Sequence, residues 1–232
     1  MSEPGDQASE RDALLALLSF AAGATDVMSF LTLGKIFTSA MTGNTALLMM
    51  SVGVGDWPAA SRALTALIGF AAGVALAAAL SSAWKASLAP RRLLRRLLLL
   101  ELVFLAVGAA VWSAIAASPP GVLLHAVIVL SAFSMGMQAI GARGIDGSGI
   151  STIVFTSVLI RIVGRLTNWL AHGETPAGPG PDFGTFAAYA GGALIAGLSA
   201  ATFRAFLIWL PVAAVAIALA LSTRGGSALR RG

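Results

Sequence analysis

Residues 37–54 read FTSAMTGNTALLMMSVGV. The second half of this stretch is apolar. The first half carries Thr38, Ser39, Thr42, Gly43, Asn44 and Thr45. A helix needs about 20 predominantly apolar residues to cross a hydrocarbon core, and this stretch is both shorter and polar at one end. A second stretch, 150–166, has the same character. It holds Ser151, Thr152, Thr156 and Ser157, with Arg161 and Arg165 behind them. Whether these two stretches cross a membrane or turn back within it decides the fold.

The surroundings make the membrane itself plain. Of 232 residues, 57% are hydrophobic and 11% charged, with mean hydropathy +0.87. Soluble domains carry about 25% charged residues, so this chain has too little polar surface to cover a soluble exterior. Disordered chains are poor in apolar residues, which excludes disorder. Six further apolar segments flank the two short ones, at about 13–34, 59–84, 97–117, 121–142, 183–203 and 205–222. The pattern predicts an all-α, polytopic membrane protein with one transmembrane domain. A polar tail precedes it at 1–12 and a basic tail follows at 223–232. The N-terminal stretch is mostly acidic and lacks the basic start of a secretory signal, so the first segment is read as a permanent span.

Charge placement separates the two topologies. Basic residues collect on the cytoplasmic side of membrane proteins. With six crossings and two re-entrant segments, the N-terminus inside, only Lys35, Arg62 and Arg204 of the 15 Lys and Arg residues fall outside. Eight crossings, oriented to keep the cluster from Lys85 to Arg96 inside, split the charges almost evenly. The first arrangement is expected, with both termini cytoplasmic. The net charge of +5 thus flanks spans and does not form a nucleic-acid surface.

The two halves, about 13–117 and 121–222, read as a weak internal repeat. A shift of about 113 residues places Gly23 on Gly136, and one of about 114 places Thr38 on Thr152, Thr42 on Thr156 and Gly43 on Ser157. Three crossings per half invert the second half relative to the first, as in many secondary transporters.

Gly23-x-x-Asp26, Phe30, Gly34, Phe37 and Met41-Thr42-Gly43-Asn44-Thr45, with Gly136-Met137-Gln138, Arg143 and the stretch from Thr152 to Arg161, resemble the signature of the YoaK family. These are bacterial inner-membrane proteins built around a domain of unknown function. The resemblance covers about residues 13–222 and implies a multi-pass inner-membrane location. It departs from the expected pattern where Ala139 follows Gln138 and Ser157 follows Thr156. The family brings no assigned substrate.

Asp26 lies about 20 Å into the first span. A carboxylate there costs about 2.5 kcal/mol or more unless it faces protein, water or a partner. It is read as a proton or cation site or a ligand for a substrate amine; the structural alternative is an acid hydrogen-bonded to a broken helix. Thr42, Gly43 and Asn44 suit a half-helix lining a solute path, against interhelical glue. Gln138 and Thr156 are their second-half counterparts. Glu101 is expected to pair with an arginine one turn away. Gly69-x-x-x-Gly73 and Gly191-Gly192 with Gly197 read as close-packing faces, which would also serve a homodimer. No cysteine is present, the two histidines are far apart, and no phosphate loop, metalloprotease helix or nucleophile–base pair occurs. No cofactor or metal is expected, and an enzyme is not. The leading expectation is a small-solute transporter in the lipid bilayer, using a coupling proton or cation. The alternatives are a channel-like pore and a membrane scaffold or regulatory subunit.

Single cysteines report the topology directly. Probes at Lys35 and Asp56 are expected to label from the same outer face, and probes at Gly149 and Gly173 from the cytoplasm. Labelling of Lys35 and Asp56 from opposite faces would require eight crossings.

Overall fold

The computed structural model describes residues 4–85, 87–115, 121–146, 155–172, 181–202 and 207–224. These form eight helices: α1 (Pro4–Thr32), α2 (Met41–Gly53), α3 (Trp57–Lys85), α4 (Pro90–Ile115), α5 (Gly121–Asp146), α6 (Phe155–His172), α7 (Pro181–Thr202) and α8 (Trp209–Arg224). No strand occurs among the described residues. Each helix matches one apolar segment of the sequence. α1 begins earlier than the apolar pattern, within the acidic stretch, and α6 extends beyond residue 166. Prolines at the first position open α4 and α7, where a missing N–H costs nothing. Asp56 caps α3 through its carboxylate, which accepts the Ala59 N–H at 3.0 Å.

Five helices are long and apolar enough to cross a membrane: α3, α4 and the greater parts of α1, α5 and α7; α8 is apolar but shorter. The protein is a polytopic helical membrane protein. α2, at 13 residues, rises about 20 Å, short of a hydrocarbon core of about 30 Å. α6 is amphipathic. Its apolar row includes Val158, Ile162, Leu166 and Trp169, and it packs on α7, where Arg161 and Arg165 both reach Asp182, at 2.8 and 3.4 Å.

Packing fixes the helix directions. The Gln138 amide donates to the Leu18 carbonyl at 2.9 Å. Toward one end Leu14 and Leu18 pack in a cluster with Ala142; toward the other Ala24 and Met28 pack in a cluster with Val127 and Ile128. α1 and α5 are therefore antiparallel. At one end of α4 the Arg95 guanidinium binds the Ser222 carbonyl, and at the other Trp209 donates to Ser113 at 3.2 Å, so α4 and α8 are antiparallel too. α3 runs alongside α5 in the same direction, because Gly69 faces Val129 and Gly73 faces Phe133. The clusters set α7 parallel to α1 in the same way, with Tyr189 beside Ala21 and Ala196 beside Met28. Thus α1, α4 and α7 run one way and α3, α5 and α8 the other.

Two crossings have the same construction. Where α1 meets α7, a Cβ on Gly23 would strike the Tyr189 carbonyl, and one on Gly192 would strike the Phe20 carbonyl. Where α5 meets α3, Gly136 lies against the Phe70 carbonyl and Gly73 against that of Phe133. Each helix contributes an aromatic-x-x-Gly step to the other's backbone. The glycine faces read as close-packing, Gly69 with Gly73 and Gly192 with Gly197, pack against other helices of the chain. Gly191 meets nothing within 4 Å.

Gly73→Leu and Gly192→Leu are therefore expected to lower stability by about 1–3 kcal/mol or more, the usual cost of overpacking. Gly191→Ala, facing open space, is expected to leave thermal unfolding in detergent unchanged. Equal midpoints for all three would contradict these crossings.

Candidate functional site: the Asp26 latch

Between α1 and α2 the chain leaves helical geometry. Gly34 and Lys35 have φ of 89° and 61°. Lys35 is thus a non-glycine residue in the left-handed region, which favours Gly or Asn. This stretch is largely buried: Leu33, Ile36, Thr38 and Ser39 are all inside the bundle. Non-helical backbone in such a place must have its polar groups satisfied by neighbours.

Asp26 satisfies two of them. Its Oδ1 accepts the backbone N–H groups of Thr38 at 2.9 Å and Ser39 at 2.7 Å. Its Oδ2 accepts the Ser39 hydroxyl at 2.6 Å and the Tyr189 hydroxyl at 2.9 Å. Four donors match the roughly four lone-pair sites of a carboxylate. Successive N–H groups converging on one oxygen form a small anion-binding nest. Asn44 satisfies two more. Its amide oxygen accepts the Phe37 N–H at 2.9 Å and its amide nitrogen donates to the Phe37 carbonyl at 2.6 Å. Ser29 reaches the Ile36 carbonyl at 3.0 Å, and Arg62 of α3 donates to the Gly34 carbonyl at 3.2 Å. The Phe37 ring stacks on Phe30, centroids 5.2 Å apart, and covers Gly43, where a Cβ would lie 3.0 Å from it.

The geometry thus brings Asp26, Gly43 and Asn44 together around residues 37–39. Thr38 and Ser39 lie beside a residue six positions, about 9 Å, back from the end of α1. The chain therefore doubles back along α1 before α2 packs on α3. Thr42 is exposed on α2. Gln138 is not part of this group, since it sits at the level of Leu18, eight residues or about 12 Å along α1 from Asp26. Thr156 is in the first turn of α6, and its side chain lies outside the described residues, as do Ser151, Thr152 and Ser157.

Sequence reasoning missed Tyr189 and Ser39. Tyr189 is the sole tyrosine of the chain. It stands three residues before Gly192, in the position that Phe70 holds before Gly73. That hydroxyl, in an otherwise apolar pattern, was the available signal. Glu101 departs from expectation. Arg95 is engaged with the Ser222 carbonyl and Arg96 lies over the Trp84 ring at 5.2 Å, while both Glu101 carboxylate oxygens are buried without a hydrogen-bond partner among the described residues.

Each latch residue has a distinct expected loss. Asp26→Ala strands two buried N–H groups, at about 1–3 kcal/mol apiece. Asn44→Asp loses the donor to the Phe37 carbonyl and sets charge against it, for about 2–3 kcal/mol. Tyr189→Phe removes one hydrogen bond of four and is expected to cost the least. Thermal unfolding of the purified variants checks this order. A stable Asp26→Ala protein would mean that the carboxylate does not hold the stretch.

Residues 14–221 match the family model described as protein of unknown function (DUF1275). A curated relative, the UPF0700 transmembrane protein YoaK of Bacillus subtilis (strain 168), is 31% identical over 209 residues, covering 88% of this chain and 91% of the relative. No solved structure matches the chain. Asp26, Phe30, Gly34, Phe37, Gly43 and Asn44 of the latch are among the residues that carried the resemblance in the sequence, and the matched region takes in all eight helices in whole or large part: the chain belongs to the DUF1275, or YoaK, family.

Proposed function

We propose that the protein is a small-solute secondary transporter or facilitator of the bacterial inner membrane. In this reading it has two inverted repeats, six crossings, two re-entrant segments and both termini in the cytoplasm. One observation carries the reading: α1 and α5 share the Phe-x-x-Gly step that relates the halves, yet run antiparallel. A shift of about 113 residues maps Phe20 and Gly23 onto Phe133 and Gly136. One of about 119 maps Phe70 and Gly73 onto Tyr189 and Gly192. The crossing of α1 with α7 and that of α5 with α3 then become two copies of one interface between the halves. Inverted repeats that meet across such interfaces rock against each other in alternating-access transport.

The interface copies differ at one place. The partners of Asp26 and Tyr189 in the second copy are Ala139 and Phe70, so carboxylate and hydroxyl are missing together. At these two crossings the polar link is one-sided. Asp26 ties the re-entrant stretch of the first half to α7 of the second. Breaking the Tyr189 bond during rocking would free that stretch from α7 while Thr38 and Ser39 stay bound. The solute path would run past residues 37–45, with Thr42 and Asn44 on the re-entrant side.

The test is a crosslink between the halves. Gly197 faces Val27 across the first interface, with a Cβ 4.0 Å from the valine methyl. In proteoliposomes assayed by osmotic shift with a panel of small polar solutes, Val27→Cys with Gly197→Cys is expected to lose solute-specific flux on oxidation and regain it on reduction. Flux unaffected by the crosslink would reject rocking. Flux no higher than in empty liposomes across the panel would reject transport.

A further inference from the structure

A second polar group lies in the bundle, apart from the latch. Glu101 on α4, Gln138 on α5 and Ser19 on α1 are buried to 1%, 1% and 0% exposure. Both Glu101 oxygens, the Gln138 amide oxygen and the Ser19 hydroxyl have no hydrogen-bond partner among the described residues. They occur at one level of the bundle. Leu98, Leu18 and Ala142 belong to the apolar cluster on one side of that level, and Leu105, Ala22 and Met135 to the cluster on the other. Each polar residue falls between two such positions on its own helix. α8 closes the layer with Ala218 below and Val215 above.

The chemistry of this layer is unbalanced. Gln138 has committed its amide N–H to the Leu18 carbonyl, which leaves its oxygen as an acceptor. Both Glu101 oxygens, if ionised, are acceptors as well. Buried acceptors without donors are strongly unfavourable, and an isolated ionised carboxylate in an apolar interior far more so. No cation among the described residues pairs with it. On α4, Arg95 and Arg96 are engaged elsewhere. On α5, Arg143 lies beyond the Ala142 cluster and is exposed. α1 carries Asp6, Glu10, Arg11 and Asp12 near one end and the latched Asp26 about two turns from Ser19; its one cation, Arg11, pairs with Asp12. α8 has no titratable residue before Arg224, and α3 carries its charges, Arg62 and Lys85, near its ends. One proton on Glu101 turns an acceptor into a donor and removes the charge.

We infer that Glu101 is a buried proton-binding site, with Gln138 and Ser19 as its polar surround. Proton exchange is a simple transfer: Glu101 carboxylate plus H⁺ gives the neutral acid, and the reverse releases it. Glu101 is six residues, about 9 Å, from Arg95, so the basic end of α4 is the near surface for that exchange. This deepens the transport reading, on which it rests, by naming the carrier of a coupling proton as Glu101 and leaving Asp26 a mechanical part.

Infrared spectroscopy of the full-length protein in liposomes tests the assignment without any solute. The chain has four glutamates, Glu3, Glu10, Glu101 and Glu174. Protein labelled with ¹³C-glutamate is expected to show an isotope-shifted carboxylic-acid C=O band that persists at neutral pH and bleaches only at alkaline pH. Glu101→Gln is expected to lose the band while keeping the helical circular dichroism of the parent. Glu101→Asp is expected to move it out of the labelled set, and Asp26→Asn to retain it. Absence of the band from the parent at neutral pH, or its survival in Glu101→Gln, overturns the proposal. Loss of the band on adding sodium or potassium chloride at constant pH also overturns it, in favour of a metal-cation site. A band that behaves as expected in a protein without flux keeps Glu101 as a proton site and rejects transport alone.

Discussion

The Asp26 carboxylate is the contact on which this architecture turns. The chain must stop being helical after Thr32, and it does so inside a bundle where water cannot satisfy the backbone. A buried N–H without a partner costs as much as a lost hydrogen bond, and two adjacent ones cannot both be left. Asp26 takes the N–H groups of Thr38 and Ser39 on one oxygen, and two hydroxyls on the other. An amide or hydroxyl in its place would offer fewer lone pairs to the four donors than the two carboxylate oxygens do. Asn44 completes the arrangement from the far side of the stretch. It supplies a donor and an acceptor to the same residue, Phe37, which Asp in its place could not do.

The glycines contribute closeness where the latch contributes polarity. Without a hydrophobic drive between helices in lipid, association depends on backbones approaching closely enough for dispersion to add up. Gly23 against Tyr189 and Gly136 against Phe70 do this at two separate crossings. A crossing of small residues with few polar ties has a shallow barrier to sliding. The Tyr189–Asp26 bond is the exception, and it couples the irregular stretch to whatever α7 does. The proposed function follows from that pairing of a smooth interface with one polar tie.

The second polar layer obeys the opposite logic. Asp26 has every lone pair occupied, whereas Glu101 has none occupied among the described residues. A saturated carboxylate holds structure, and an unsaturated one is available to bind. In the proposed reading the two acids exchange the parts that their sequence context suggested: Asp26, in a polar signature, holds structure, and Glu101, in a leucine run beside arginines, binds the proton.

Much of the fold was legible in the residues alone. Hydropathy and segment length placed eight helical segments, because a span has to be apolar along its whole length and no tertiary contact can excuse it from that. The polarity of 37–45 marked the break, since lipid excludes such residues unless something inside the protein receives them. What received them was not legible. Asp26 and Tyr189 are 163 residues apart, and nothing local to either announces the other. Arg95 is six residues from Glu101, off its face of the helix, and it went instead to a carbonyl with no intrahelical partner in the last turn of α8. One-dimensional order thus determined which stretches become helices, although α1, α4 and α6 run beyond their apolar segments. Which polar atoms meet, and which are left without a partner, was decided only when four helices closed around one level and excluded water from it.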